Sequence, residues 1–184
     1  MAVEYNFIDK WRVEGSVKEV ADIIDDALSL PRWWPSVYFE VKELSPGGER
    51  GVGRVISLRA GGWLPYTLRI NFRAIESHYP NGFSMEASGD LEGMGIWSFN
   101  QEGEFVNITY DWTVRANKTI IRHLSFLLKP IFRSNHNWTM KRGEESLKLE
   151  LARRRASTRE EAAQIPAPPR PAIIHSLIFN CCDF

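Results

Sequence analysis

The sequence predicts an α+β fold, with an antiparallel sheet of about seven strands followed by one long C-terminal helix. Three observations carry this. Strand-length segments with alternating bulky residues follow one another through short Gly/Pro turns, which makes an antiparallel meander. No long helix interrupts them before residue 118. From Ile131 to about Ala156 the apolar spacing is helical throughout, roughly 39 Å of helix at about 1.5 Å per residue.

Residues 3–14 alternate as a first strand, with Tyr5, Phe7, Trp11 and Val13 as its bulky members. Gly15 ends it. Ser16 followed by Glu19 has capping-box spacing, and Val17, Val20, Ala21 and Ile24 follow at helical intervals. A short helix is expected over about 17–27. Pro31 and Pro35 limit the next segment to a second short helix or a turn. Strands then follow at Val37–Leu44, Gly53–Arg59, Leu64–Ile75, Phe83–Ala87, Gly95–Phe99 and Val106–Val114. Gly61-Gly62 reads as a tight hairpin turn. Gly89, Gly93 and Gly95 read as bulges or bends of a strongly curved sheet. Residues 118–128 form an apolar helical lead-in, which Pro130 is expected to stop or kink. On the final helix, Phe132, His136, Met140, Gly143, Leu147 and Leu151 share one stripe.

Composition narrows the function classes. Lys plus Arg equals Asp plus Glu, 23 each, so no global field draws the chain to nucleic acid or an anionic membrane. No apolar run reaches the ~20 residues that span a bilayer, so no stable membrane insertion is expected. The only cysteines, Cys181 and Cys182, are adjacent and cannot staple distant segments. That usage, with an N-terminus lacking an apolar leader core, predicts a cytoplasmic protein. The four histidines are scattered, and neither a phosphate-binding glycine loop nor a nucleophile elbow is present. No metal and no cofactor are therefore expected. One domain is expected over residues 1–156. Residues 157–184, with four prolines between Ala162 and Ala172, read as a disordered Pro-rich linker and tail.

Several strings in this order carry a family resemblance. Val13-Glu14-Gly15-Ser16-Val17-Lys18-Glu19-Val20 and Leu30-Pro31-Arg32-Trp33-Trp34-Pro35 resemble the opening of the polyketide cyclase/dehydrase-like branch of the START-like (SRPBCC, Bet v 1-like) superfamily. Gly95-Ile96-Trp97-Ser98-Phe99 and Val106-Asn107-Ile108-Thr109-Tyr110-Asp111-Trp112 resemble its last two strands. The resemblance covers about residues 3–155. It implies a helix-grip fold, with a curved sheet around the long helix and a tunnel between them. It also implies an apolar small-molecule ligand, lipid-like or a polyketide-like aromatic. Since the superfamily serves many purposes, a cyclase, dehydratase or hydrolase using acid/base residues in the same cavity is the alternative.

The candidate ligand-binding residues are Trp33, Trp63, Tyr66, Trp97, Phe132, His136, Met140 and Gly143. His136 is also the candidate catalytic residue, because an imidazole can donate, accept or shuttle a proton near neutral pH. The competing reading is a structural histidine bonded to the backbone or a strand side chain. Gly143 removes volume mid-helix, to be filled by a ligand or by a neighbouring aromatic; if by a ligand, Gly143→Leu would fill the cavity. Trp63 and Tyr66 flank Pro65 beyond the glycine pair, where START-like hairpin tips often gate the cavity. Each tryptophan could equally be core or rim. Alternation places Arg69, Glu86 and Asp111 on the solvent face. The mixed stretch Ile120–Arg133 is read as a buried lead-in to the helix rather than a membrane-associating face.

Overall fold

The computed structural model describes residues 4–116 and 119–172; at 116 and over 119–128 it describes the backbone alone. The fold is α+β, as the meander and the final helix predict. Seven strands form one antiparallel sheet in the order β1-β7-β6-β5-β4-β3-β2. They are β1 (Glu4–Glu14), β2 (Tyr38–Ser45), β3 (Val55–Ala60), β4 (Leu68–Ser77), β5 (Gly82–Gly89), β6 (Leu91–Glu102) and β7 (Phe105–Ala116). Strands β2 to β7 pair in sequence order, and β1 closes onto β7 along its whole length, from Glu4↔Arg115 to Glu14↔Phe105.

Helices α1 (Val17–Ile24) and α2 (Leu30–Trp33) follow β1, and α3 (Thr119–Arg155) follows β7. The capping box holds: Ser16 N–H donates to Glu19 Oε2 at 2.8 Å, and Glu19 N–H donates to Ser16 Oγ at 3.3 Å. Helix α1 ends at Ile24, earlier than expected, and a separate 3-10 turn takes up Ala27–Ser29.

Three local expectations are corrected. Pro130 does not stop the last helix, which runs as one element from Thr119 to Arg155. Gly61-Gly62 does not make a two-residue hairpin. Strand β4 starts only at Leu68, and a seven-residue loop crosses to α3, where Trp63 N–H and Leu64 N–H donate to Asn135 Oδ1 at 2.8 and 3.1 Å. That tertiary contact outweighs the local turn preference. Gly93 and Gly95 sit in unbroken β6 register; the register shifts fall in the β2–β3 pairing and between Ala74 and Glu76. Gly93 is glycine because a Cβ there would strike the β7 backbone at Thr113 O.

The core lies between the concave face of the sheet and the helices. Val13, Val106 and Ile108 from the sheet meet Val20 and Ile23 of α1 and Leu147 of α3, all buried. Near its end α3 is tied to α2 by charge. The carboxylate of Glu150, 1% exposed, accepts from Arg32 Nη1 and Nη2 at 2.9 and 2.8 Å and from Arg154 Nε at 2.9 Å. The proline-rich segment begins with a short helix, α4 (Arg159–Gln164), capped by Thr158 Oγ1; residues 165–172 have no regular secondary structure. Cys181 and Cys182 lie outside the described residues, as do the side chains of most of Ile120–Arg133.

Candidate functional site: two cavities on the concave face

Two apolar cavities open between sheet and helices. One, about 160 Å³, lies under α3 and is bounded by Phe132, His136 and Met140, by Tyr66 of the loop before β4, and by Tyr110 and Trp112 of β7. The other, about 210 Å³, lies under α1 and α2 against Trp33, Phe83, Met85 and Trp97, with Asp25, Arg50, Arg54 and Glu76 among its lining. Trp34, Tyr38 and Phe72 belong to both walls, so these three rings form the partition.

The structure therefore divides the residues singled out in the sequence. Tyr66, Phe132, His136 and Met140 meet in the α3-side cavity, while Trp33 and Trp97 line the other. Trp63 lines neither. It is 37% exposed on the loop whose backbone Asn135 holds. Gly143 also lines neither. An added Cβ would collide with Trp34 Cζ2, so a tryptophan fills the space that glycine leaves. Arg69, Glu86 and Asp111 are exposed, on the outer face that alternation gives them.

Sequence reasoning missed Asp9. Strand alternation places it on the concave face with Tyr5, Phe7, Trp11 and Val13. A carboxylate in that apolar row needs a partner, and α3 supplies one: His136 Nε2 lies 2.6 Å from Asp9 Oδ2, with the side chains only 14% and 17% exposed. The imidazole stacks on Phe7 with ring centres 3.9 Å apart and planes 18° from parallel. With Nε2–H donated to the carboxylate, the neutral ring keeps Nδ1 as its acceptor. His136 thus has a strand carboxylate as its partner and also lines the cavity.

Tyr110 is the register partner of Asp9 on β7 and stacks on Trp97 at 4.1 Å. Burial raises its phenol pKa well above the ordinary value, and the Tyr38 and Asp9 charges add to the effect. Burial raises Tyr38 in the same way, and pushes Tyr66 up to about 12. All three phenols therefore stay protonated through neutral pH and act as donors. No three His, Cys, Asp or Glu side chains gather into a metal-binding cluster among the described residues. No helix among them is long and apolar enough to cross a membrane.

No family model matches the chain, and none of the curated proteins matches it. Solved structures do. The Thermus thermophilus protein TTHA0849 superposes at TM-score 0.66 with 15% identity, over 83% of this chain and 100% of that one. A START superfamily protein from Mycobacterium smegmatis gives 0.64 with 13% identity, over 79% and 96%. The fold is START-like. The Zhui aromatase/cyclase from Streptomyces sp. R1128 shares this START-like fold at TM-score 0.62 with 14% identity, over 84% of this chain and 98% of that one. At such identities the likeness concerns the fold. Of the two cavities, the α3-side one lies between the concave sheet and the long helix, and no residue of that helix lines the other.

Proposed function

We propose that the protein binds an apolar small molecule, lipid-like or a polyketide-like aromatic, in the cavity between the sheet and α3. The observation that carries this reading is the cavity itself, about 160 Å³ bounded by aromatic rings where close packing would be expected. Folded interiors leave few voids larger than a water molecule, and apolar pockets with a few placed polar groups are the usual form of ligand sites. Tyr66, from the loop before β4, converges there with Phe132, His136 and Met140 from one stripe of α3. Met140 adds an adaptable wall. A cytoplasmic setting, read from the cysteine usage, accompanies the proposal.

Native mass spectrometry of the protein as purified from cells tests it. A mass increment of a few hundred daltons that dissociates on activation and extracts into organic solvent is the expected result. Protein that carries no such increment, and takes none up from a mixture of fatty acids and polycyclic aromatics, would overturn the proposal.

A further inference from the structure

The cavity under α1 and α2, about 210 Å³, is walled off from the α3-side one. The rings of the partition are braced. Trp34 meets Trp11 and Tyr38 edge to face, with ring centres 5.6 and 5.1 Å apart, and Phe72 meets Trp112 in the same way at 6.0 Å. The edge of Trp34 rests directly on α3 at Gly143. A molecule in one cavity cannot extend into the other without displacing these rings, so the two spaces are separate sites.

Four charged residues line the α1/α2-side cavity, and they divide into two sorts. Arg54 and Glu76 are engaged: Arg54 Nε donates to Glu43 Oε2 at 2.8 Å, and Glu76 Oε2 lies 3.3 Å from His78 Nε2. Asp25 and Arg50 are not. Among the described residues neither side chain makes a hydrogen bond or a salt bridge, with the other or with any third group. Both are exposed at the rim, so a free carboxylate and a free guanidinium face whatever enters. Arg50 also sits in the left-handed region, with φ 51° and ψ 29°, inside the 3-10 turn Glu49–Gly51. A residue other than glycine is uncommon there, and the fold keeps arginine at this point of the rim.

We propose that this cavity is a second binding site, for a zwitterion with a bulky apolar group, of the class of the aromatic α-amino acids. The apolar ring lies among Trp33, Phe83 and Trp97, where ring edges and faces suit an aromatic guest. The ammonium group pairs with the Asp25 carboxylate, and the carboxylate accepts from the Arg50 guanidinium. A simple amine answers Asp25 and leaves Arg50 as an uncompensated like charge; a simple carboxylate does the reverse. Only a molecule that carries both charges satisfies both rim groups. The site shares no volume with the α3-side cavity, so the proposal does not depend on the binding reading above.

The test titrates the full chain calorimetrically with L-tryptophan, tryptamine and indole-3-propionate, which share a ring system and differ in charge. Wild type should bind L-tryptophan saturably, one to one, and the other two roughly tenfold or more weakly. Asp25→Asn should weaken L-tryptophan by a similar factor and leave indole-3-propionate unchanged. Arg50→Gly should weaken L-tryptophan alike and leave tryptamine unchanged; glycine adopts the left-handed backbone freely, so this variant keeps its fold. Melting curves check that every variant is folded. Ala74→Phe, in the wall of this cavity alone, should abolish binding, and Ala60→Phe, in the wall of the α3-side cavity alone, should leave it intact. Absence of saturable L-tryptophan binding by wild type overturns the proposal, and so does equal affinity for the three indoles. Binding lost in folded Ala60→Phe and kept in folded Ala74→Phe places the ligand in the other cavity and overturns it as well.

Discussion

The edge of the Trp34 indole occupies the place of a side chain at Gly143, with Cζ2, Cη2 and Cε2 all within 2.7 Å of where a Cβ would stand. This contact joins the turn after α2 to the middle of α3, and it places Trp34 in the partition between the two cavities. Alanine at position 143 would ordinarily gain about 1 kcal/mol of helix propensity. Here the indole must move or α3 must lift. Gly143→Ala should therefore lower stability by roughly 1–3 kcal/mol, and Gly143→Leu by more. Denaturant melts measure this; a Gly143→Leu protein as stable as wild type would show that the contact is loose.

The cluster around Glu150 predicts an ordering of two variants. Arg32, Arg153 and Arg154 all reach this nearly inaccessible carboxylate. Burial alone would raise its pKa, but the bonds from Arg32 and Arg154 hold it below the ordinary value. Glu150→Ala removes the acceptor that three partly exposed guanidinium groups share and empties a buried site, and should cost roughly 1–3 kcal/mol. Arg32→Ala should cost distinctly less, because Arg153 and Arg154 remain. Equal losses in urea melts would contradict the arrangement.

Acid should weaken the junction of α1 and α3. Glu19 is lowered from 4.5 to about 2, first by its bond from Arg155 and then by Ser16 N–H. A folded pKa below the unfolded one gives a contribution that is full above pH 4.5 and lost as the pH falls through about 2. Both side chains are about two-fifths exposed, so screening keeps the effect below about 1 kcal/mol. Stability measured from pH 5 to 2 should fall less steeply in Glu19→Gln than in wild type, and parallel curves would refute the assignment.

The tail should be dispensable to the domain. Its described portion touches the body through Arg153 Nη2, which donates to Pro166 O at 2.9 Å, and no regular structure follows α4 among the described residues. Removing residues 165–184 should leave the melting temperature within about 4 °C, on the order of 1 kcal/mol for a chain this long. A larger drop would mean the tail packs on the core.

Much of the architecture was legible because local signals and tertiary packing agree. The box at Ser16 and Glu19 and the alternation of β6 and β7 needed no long-range information. The stripe of α3 placed Phe132, His136 and Met140 on the cavity side because helical spacing alone determines a face. Gly143 lies on the same stripe, yet its neighbour Trp34 sits 109 positions away in a turn, where no periodicity gives a direction. Asp9 was discoverable: it interrupts an inward row of aromatic and branched residues, and buried charge calls for a partner. The Gly61-Gly62 signal misled because Asn135, far along the chain, holds the loop instead.

The most direct test of ligand binding is a titration with an environment-sensitive dye such as 1-anilinonaphthalene-8-sulfonate, comparing wild type with Ala60→Phe. Ala60 is buried at the end of β3 and lines the α3-side cavity, so a phenyl ring there takes up the volume a ligand would use. The predicted result is saturable one-to-one binding by wild type and at least tenfold weaker binding by the folded variant. Equal affinity in both proteins, or no saturable binding by wild type, would contradict the account.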